Sequence, residues 1–294
     1  MKHYGIADIG SNTMVLIIYH FENGLPVQDH YQSTPVHLIQ YVDSSRHMSA
    51  EGIRAACHVL AYYDSLCDEK HCDYKWADIT EPCRITNLDE LVSSLRTTGF
   101  EICPLTGEEE AYCDFLGSRI SCPDVHSGAA FDVGGGSTEL ITFENDISLA
   151  AASFPLGCVR LSALPLDTGE CRRMILETRD TFPLLKKECS FMIGIGGTAR
   201  NCGMILDYLA HTGKTFTTMQ LKDLYDRLLC NEQTAVDAMK AVVNPARQPV
   251  LLPGMHMILE ILDVYKAETV ILSETGIREG FLTAKIAGRH FALS

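Results

Sequence analysis

Positive charge is scarce in this sequence relative to negative. Lys and Arg together number 24 against 38 Asp and Glu in 294 residues, a formal net charge of −14. Nucleic-acid binders and proteins held on anionic membranes draw their affinity from clustered Lys and Arg, so neither partner is expected here. Long hydrophobic runs are missing too. The early candidate, Met14 to Tyr19, falls well short of the roughly 18 residues a membrane span needs. Only Lys2 lies ahead of it, and glycines and polar residues interrupt the N-terminal stretch, so no secretory signal pattern is present and the expected location is cytoplasmic. Cysteine is not scarce, at 12, but it is scattered singly rather than packed as in small disulfide-stapled secreted domains. Cys67-x4-Cys72 beside His71 is the one cluster with metal-ligand character, and no second pair is spaced to complete a zinc site. Most cysteines therefore read as small reduced core residues. With 46% hydrophobic and 21% charged residues, the remainder is the composition of a soluble globular chain, long enough for one large or two medium domains.

What is there centres on Phe131-Asp132-Val133-Gly134-Gly135-Gly136-Ser137-Thr138-Glu139-Leu140. An apolar strand ends in Asp132, three glycines follow, and a second strand resumes at Ser137. Successive glycines permit positive φ and leave backbone N–H groups unshielded by any Cβ, so an anionic oxygen can approach them. Asp132 and Glu139 bracket the turn with two carboxylates, which repel a phosphate unless a divalent cation lies between them. The competing reading is a tight hairpin whose glycines only serve the bend.

The pattern has a near-copy at the N-terminus. Tyr4 to Asp8 is an apolar strand ending in Asp, Gly10-Ser11-Asn12-Thr13 is a turn, and Met14 to Phe21 is a β-branched strand. The two Asp residues lie ~124 positions apart, about one domain length, which reads as an internal duplication. Each turn leads into a meander, Leu25–Tyr31 in the first half and Ile147–Ser153 in the second. Helices are expected over 49–67, with Ser49 as N-cap, and over 88–95. Short strands are expected at 76–80 and 100–103. Thr106-Gly-Glu-Glu109 has capping-box spacing and opens a further helix. In the second half the expectations are a helix over 167–185 ended or kinked by Pro183, a strand over 191–195, and helices over 196–209, 219–229, 253–265 and 276–286, with a strand at 269–272. The apolar stretch 250–272 is either core or the face of a homodimer, with core favoured because most apolar segments are buried.

A β-β-β-α-β-α plan occurring twice predicts an α/β protein of two mixed sheets flanked by helices, with a cleft that both Asp-turns face. The domains are expected at 1–120 plus 279–294 and at 121–278, since Ser121-Cys-Pro-Asp is loop chemistry. Hydrolysing a phosphoanhydride needs a base for water, positive charge for the transferring group, and usually Mg²⁺. The Glu108-Glu109-Glu110 run supplies bases, although acidic residues also suit a helix N-terminus at ~0.3–1 kcal/mol. Arg84, Arg160, Arg200 and Arg278 are the candidate cations, with Arg84 and Arg160 favoured by their turn neighbours. Gly196-Gly197-Thr198 offers a further helix N-terminus.

In order, Asp8-Ile-Gly-Ser-Asn-Thr, Thr106-Gly-Glu-Glu-Glu-Ala, Asp132-Val-Gly-Gly-Gly-Ser-Thr-Glu-Leu, Leu156-Gly-Cys-Val-Arg-Leu, Gly194-Ile-Gly-Gly-Thr, Leu252-Pro-Gly-Met and Leu272-Ser-Glu-Thr-Gly-Ile-Arg-Glu-Gly span nearly the whole chain. This series resembles the exopolyphosphatase/guanosine pentaphosphate phosphohydrolase family. The resemblance implies two duplicated ribonuclease-H-like domains of the actin-like and sugar-kinase fold, and a hydrolase that releases terminal orthophosphate from inorganic polyphosphate or guanosine pentaphosphate. It implies that Glu110 is the base for water and that Arg84 contributes charge. Asp132 and Glu139 would hold Mg²⁺, or Mn²⁺, since carboxylates alone do not discriminate. Gly10, Ser11, Asn12, Thr13, Gly134, Gly135, Gly136, Ser137 and Thr138 would cradle phosphates. The chain departs from the family pattern twice. Ile79-Thr-Glu-Pro-Cys-Arg84 stands for the usual Ala-Thr-Ser-Ala-hydrophobe-Arg, and His37-Leu38-Ile39 replaces an Arg-Leu-Gly pattern. Longer members carry an extra helical C-terminal module, which this chain is expected to lack; that favours short phosphate chains or the nucleotide over long polymer. Two other functions stay open: a same-fold phosphotransferase using ATP, and a non-catalytic nucleotide or phosphate sensor.

Overall fold

The computed structural model describes residues 1–165 and 169–291, and the chain divides into two units, Met1–Glu110 with Phe281–Ser294, and Ala111–Gly280. The first unit is built from β1 (Tyr4–Ile9), β2 (Thr13–Glu22), β3 (Leu25–Pro35), α1 (Ala50–Glu69), β4 (Tyr74–Ile79), α2 (Leu88–Leu95), β5 (Glu101–Pro104) and the start of α3 (Gly107–Ser121). Its sheet order is β3-β2-β1-β4-β5, with β1, β4 and β5 parallel and β2 antiparallel to β1. Period-two alternation sorts β1 into two faces. Ala7 and Ile9, with Met14, Leu16 and Ile18 of β2, meet Ile53, Leu60 and Tyr63 of α1 and Leu91 and Leu95 of α2 in one core. Each such side chain contributes roughly 1.5–3 kcal/mol on burial. The buried Tyr63 hydroxyl donates to the Met14 carbonyl at 2.8 Å, so its polar tip costs little. Ser49 caps α1 as its sequence indicates, accepting from the Gly52 N–H at 3.3 Å.

The second unit repeats the plan with β6 (Gly128–Val133), β7 (Thr138–Glu144), β8 (Ile147–Phe154), α4 (Cys158–Leu161), α5 (Glu170–Thr181), β9 (Phe191–Ile195), α6 (Gly196–Ala210), β10 (Thr215–Thr217), α7 (Thr218–Leu229), α8 (Gln233–Val242), α9 (Leu251–Tyr265), β11 (Thr269–Leu272) and the start of α10 (Ile277–Ile286), whose remainder belongs to the first unit. Its sheet order is β10-β11-β9-β6-β7-β8. Without the three-residue edge strand β10, that is the first sheet's order again, the ribonuclease-H-like one. The duplication extends to irregularities. The register shifts between Ile18 and Tyr19 in β2 and between Thr142 and Phe143 in β7, positions separated by the same interval as Asp8 and Asp132.

One face of the second sheet, Phe131, Val133 and Leu140, packs on Ala199, Cys202 and Leu206 of α6 and on Ile258 and Leu262 of α9. The 250–272 stretch is thus largely core. The other face, Ala130, Ile141, Phe143 and Ile195, is covered by Ala111 and Phe115 of α3. Within this unit α3 and the start of α10 touch backbone to backbone: a Cβ on Gly117 would lie 2.0 Å from the Gly276 carbonyl oxygen, and one on Gly280 1.7 Å from that of Cys113. Pro183 does end the helix before it: α5 stops at Thr181 and a 3-10 turn, Pro183–Lys186, follows. The expected start of that helix at Asp167 lies outside the described residues. Two short elements, α4 and β10, carry too little hydrophobic period to be read in advance; α8, also absent from the sequence expectations, has apolar residues at helical spacing in Ala235, Ala238, Met239 and Val242. Among the described residues no helix is long and apolar enough to cross a membrane.

Candidate active site

In the first unit, four residues, Gly10 to Thr13, close the hairpin between the register partners Ile9 and Met14. Its backbone is braced from one side. The Val36 and His37 N–H groups donate to the Asn12 carbonyl at 3.0 and 2.8 Å, and Ile39 N–H to that of Ser11 at 2.9 Å. His37 sits in the left-handed region at φ 54°, and its imidazole Nδ1 pairs with Asn12 Oδ1. The residue standing where the family pattern has arginine is therefore attached to the turn itself. Asp8 precedes the turn, and its register partner on β4 is Asp78, a fully buried carboxylate. Asp78 is in turn the partner of Cys103 on β5, whose thiol is pushed up to about 12, first by burial. Sequence reading passes over Asp78, because only strand register places it beside Asp8.

β4 runs into a 3-10 turn, Glu81–Arg84. The Arg46 guanidinium donates to the Arg84 carbonyl, while Asn87 exchanges hydrogen bonds with the Met48 backbone at 2.9 and 3.0 Å. The loop so held aims Arg84 Nη2 at Glu110 Oε2, 3.1 Å away. Glu110 lies in the first turn of α3 and is only 8% exposed. Geometry separates the three adjacent glutamates. Glu108 faces solvent. Glu109 completes the capping box, accepting from Thr106 N–H at 2.8 Å while its own N–H reaches Thr106 Oγ1 at 3.2 Å. Glu110 alone of the three is buried against a guanidinium, an arrangement that fixes the direction of a carboxylate.

In the second unit, Gly134 to Ser137 lie between the partners Val133 and Thr138, and Gly134 N–H closes the turn on the Ser137 carbonyl at 3.0 Å. The expected positive φ is not what the glycines supply. Gly10, Gly134 and Gly135 all lie outside the left-handed region, so their value is bare backbone and close approach. Gly157 explains part of this: a Cβ there would meet the Gly134 carbonyl oxygen at 2.5 Å. From that contact the Cys158 and Val159 N–H groups donate to the carbonyls of Gly134 and Gly135 at 2.9 and 3.0 Å. The Leu156-Gly-Cys-Val motif is thus a prop for the glycine turn. Thr138, already in β7, is buried and its hydroxyl donates to the Leu156 carbonyl at 2.7 Å. Thr198 donates to the Val133 carbonyl at 2.6 Å, and Gly254 of α9 lies close enough to Thr198 that a Cβ would come within 2.5 Å of its methyl group.

Asp132 and Glu139 are register partners on one face of the β6–β7 hairpin. Glu139 is 2% exposed and accepts from Ser153 Oγ at 2.7 Å. The Asp132 carboxylate lies against the N-terminal residue of α6, Gly196, where a Cβ would be 2.0 Å from Oδ1. A helix N-terminus stabilises a negative charge so placed. The two units differ in one respect. Val15 is the partner of Asp8 on the hairpin, and the second carboxylate comes from β4, whereas Asp132 finds its second carboxylate on the hairpin and has Ile195 beside it on β9.

Among the described residues no set of three or more His, Cys, Asp and Glu is gathered to hold a metal. The Asp132–Glu139 pair nonetheless fits Mg²⁺, which is commonly held by one or two carboxylates with phosphate oxygens and water completing its shell. Of the other arginines, Arg200 serves a structural role, donating to the Ser273 and Glu274 carbonyls, both at 3.2 Å. Two surface grooves along α7 and α9, lined by residues such as Lys222, Tyr225 and Asp263, contain none of the candidate residues.

A family model described as the Ppx/GppA phosphatase family matches residues 17–288. Exopolyphosphatase 1 of Mycobacterium tuberculosis is 25% identical over 307 aligned positions, covering 96% of this chain and 88% of that protein. Among solved structures, the Aquifex aeolicus member of the Ppx/GppA family has a TM-score of 0.81 at 24% identity, with 98% of each chain covered. An exopolyphosphatase from Cytophaga hutchinsonii also gives 0.81, at 19% identity, covering 99% of this chain and 100% of its own. At these identities the two structures show a shared fold.

Proposed function

The chain belongs to the Ppx/GppA phosphatase family, a family of phosphoanhydride hydrolases, and from that membership we propose that it releases terminal orthophosphate from inorganic polyphosphate or guanosine pentaphosphate. The observation that carries this reading is the buried Glu110 carboxylate held by Arg84 at 3.1 Å. A general base must be aimed at the water it deprotonates, and the guanidinium fixes the direction of the Glu110 carboxylate. Glu110 takes a proton from the attacking water; the water oxygen bonds to the terminal phosphorus, and the anhydride P–O bond breaks to leave the shortened phosphate. The turns at Gly10–Thr13 and Gly135–Ser137 offer backbone N–H donors to phosphate oxygens. Asp132 and Glu139 would hold Mg²⁺, which when bound offsets phosphate charge. Arg84, besides orienting Glu110, places positive charge where the transferring group carries its negative charge.

The test is phosphate release from short polyphosphate and from guanosine pentaphosphate, each with Mg²⁺, for the native protein and Glu110→Gln. The substitution keeps size and hydrogen bonding but removes the base, so kcat should fall ~10²–10⁴-fold with substrate binding retained. Unchanged turnover in the variant would remove Glu110 from the mechanism. Release from neither substrate by the native protein would sink the assignment of substrate.

A further inference from the structure

Away from the candidate site, the end of α1 brings two thiols together. Lys70 is its C-cap, and His71 follows in the left-handed region at φ 55°. The Cys72 N–H donates to the Cys67 carbonyl at 2.9 Å and His71 N–H to that of Asp68 at 3.1 Å. This is the double closure of a Schellman motif, in which the side chains at the positions of Cys67 and Cys72 meet. They meet over Gly5 of β1. A Cβ on Gly5 would lie 2.5 Å from Cys67 Sγ and 3.6 Å from Cys72 Sγ, so the missing side chain is the space the two sulfurs occupy. Cys67 is fully buried, whereas Cys72 is half-buried. The Cys67 thiol donates a hydrogen bond that holds the Cys72 thiol below its usual range, and the Lys75 ammonium acts in the same direction against the effect of burial.

We propose that Cys67 and Cys72 form an oxidant-sensitive dithiol that a peroxide converts to a disulfide. The Cys72 thiolate attacks a peroxide oxygen and the O–O bond breaks. Cys72 becomes a sulfenic acid, and the departing hydroxide takes up the thiol proton as water. The Cys67 sulfur then attacks Cys72 Sγ, the S–O bond breaks, and a second water leaves with the Cys67 proton. Two thiols thus lose two hydrogens while one peroxide is reduced to two waters. Cys72 is the attacking sulfur because the thiolate is the nucleophile and this is the accessible thiol of the pair. Other thiols serve as internal references: Cys103, Cys171 and Cys202 are buried, and burial pushes each up to about 12, while Cys230 is exposed.

Reduced full-length protein would be treated with hydrogen peroxide near equimolar ratio, remaining thiols alkylated, and peptides mapped by mass spectrometry. The expected product is a Cys67–Cys72 cross-link lacking two hydrogens and reversed by reductant, with Cys72 consumed several-fold faster than Cys230. Cys67→Ser should leave a Cys72 sulfenic acid that dimedone traps, and Cys72→Ser should give neither cross-link nor adduct at Cys67. Consumption of Cys72 no faster than Cys230, or a Cys72 sulfenic acid that persists beside a free Cys67 in the native protein, would overturn the proposal. The sulfurs would then be only a packing contact at a helix end. Should Cys67→Ser fail to fold, the native map and Cys72→Ser decide the question.

Discussion

Gly196 and Gly197 are adjacent letters at the start of α6 that the structure uses in opposite ways, and alanine at each should separate them. Gly196 sits at φ +76°, where a Cβ would lie 2.0 Å from Asp132 Oδ1 and 2.4 Å from its Cγ. An L-residue in the left-handed region costs ~1–2 kcal/mol. Displacing a packed group to admit a methyl costs typically ~1–3 kcal/mol more. Gly196→Ala should therefore lose ~2–5 kcal/mol, a large share of the ~5–15 kcal/mol that folded domains possess. Gly197 lies outside the left-handed region and has no atom within 4 Å of its Cβ position. In the first turn of a helix alanine is favoured over glycine there, by up to ~1 kcal/mol, so Gly197→Ala should be neutral or slightly stabilising. Urea unfolding of the three proteins measures both differences directly. The Gly196 variant should also release phosphate more slowly, because the carboxylate that must move is the proposed metal ligand Asp132, and raised Mg²⁺ should restore part of the rate. Native stability in Gly196→Ala, or equal losses in the two variants, would refute the geometry from which both numbers are built.

Two further outcomes follow from pairs seen in the first unit. If Arg84 acts by holding Glu110, then Arg84→Ala and Glu110→Gln should be non-additive in kcat/KM. A double-mutant cycle should return a coupling of ~0.5–3 kcal/mol, whereas simple additivity would show that the two act separately. His20 is bonded to Glu22 at 2.9 Å and to Asp29 at 2.8 Å, and these carboxylates, Glu22 foremost, raise it above its ordinary range. A group raised in the folded state stabilises fully below its unfolded value, about 6.5, and that contribution is lost as pH rises through the folded value. The Tm difference between native protein and His20→Gln should therefore shrink as pH is raised from about 6 to about 9. A difference that grows over that range would contradict the sign.

The duplicated strand plan is legible because it is written in short-range chemistry. β-branched runs, the Ser49 cap and Pro183 each act within a few residues, and Leu88–Leu95, Phe191–Ile195 and Thr269–Leu272 emerge with the bounds their letters indicate. What escapes is set by register and contact over long distances. Gly157, Thr198 and Gly254 stand in recognisable motifs, but that all three support the same glycine turn follows only from the contacts. The glutamate run is the plainest case. In sequence only Glu109 stands apart, by its capping-box spacing from Thr106, and resemblance alone separates Glu110 from Glu108; folded, Glu108 faces solvent, Glu109 caps α3 and Glu110 is buried on Arg84.

The two Asp-turns show why resemblance between strings is a poor guide to the chemistry of a site. Asp8-Ile-Gly-Ser-Asn-Thr and Asp132-Val-Gly-Gly-Gly-Ser close equivalent hairpins on equivalent sheets. A carboxylate beside Asp on the sheet is its lateral neighbour, and lateral neighbours in a sheet come from either flanking strand. In the second unit the hairpin provides it, as Glu139, seven residues along the chain and visible in the same motif. In the first unit the hairpin position is Val15, and the neighbour is Asp78 on a strand reached only after α1. A parallel partner delivered by a crossover helix has no fixed sequence distance, so no local pattern could have announced it. The glycine turns are therefore duplicated while their carboxylate surroundings are not, and the bracketing Asp–Glu pair that suggested a divalent cation is a property of the second turn alone.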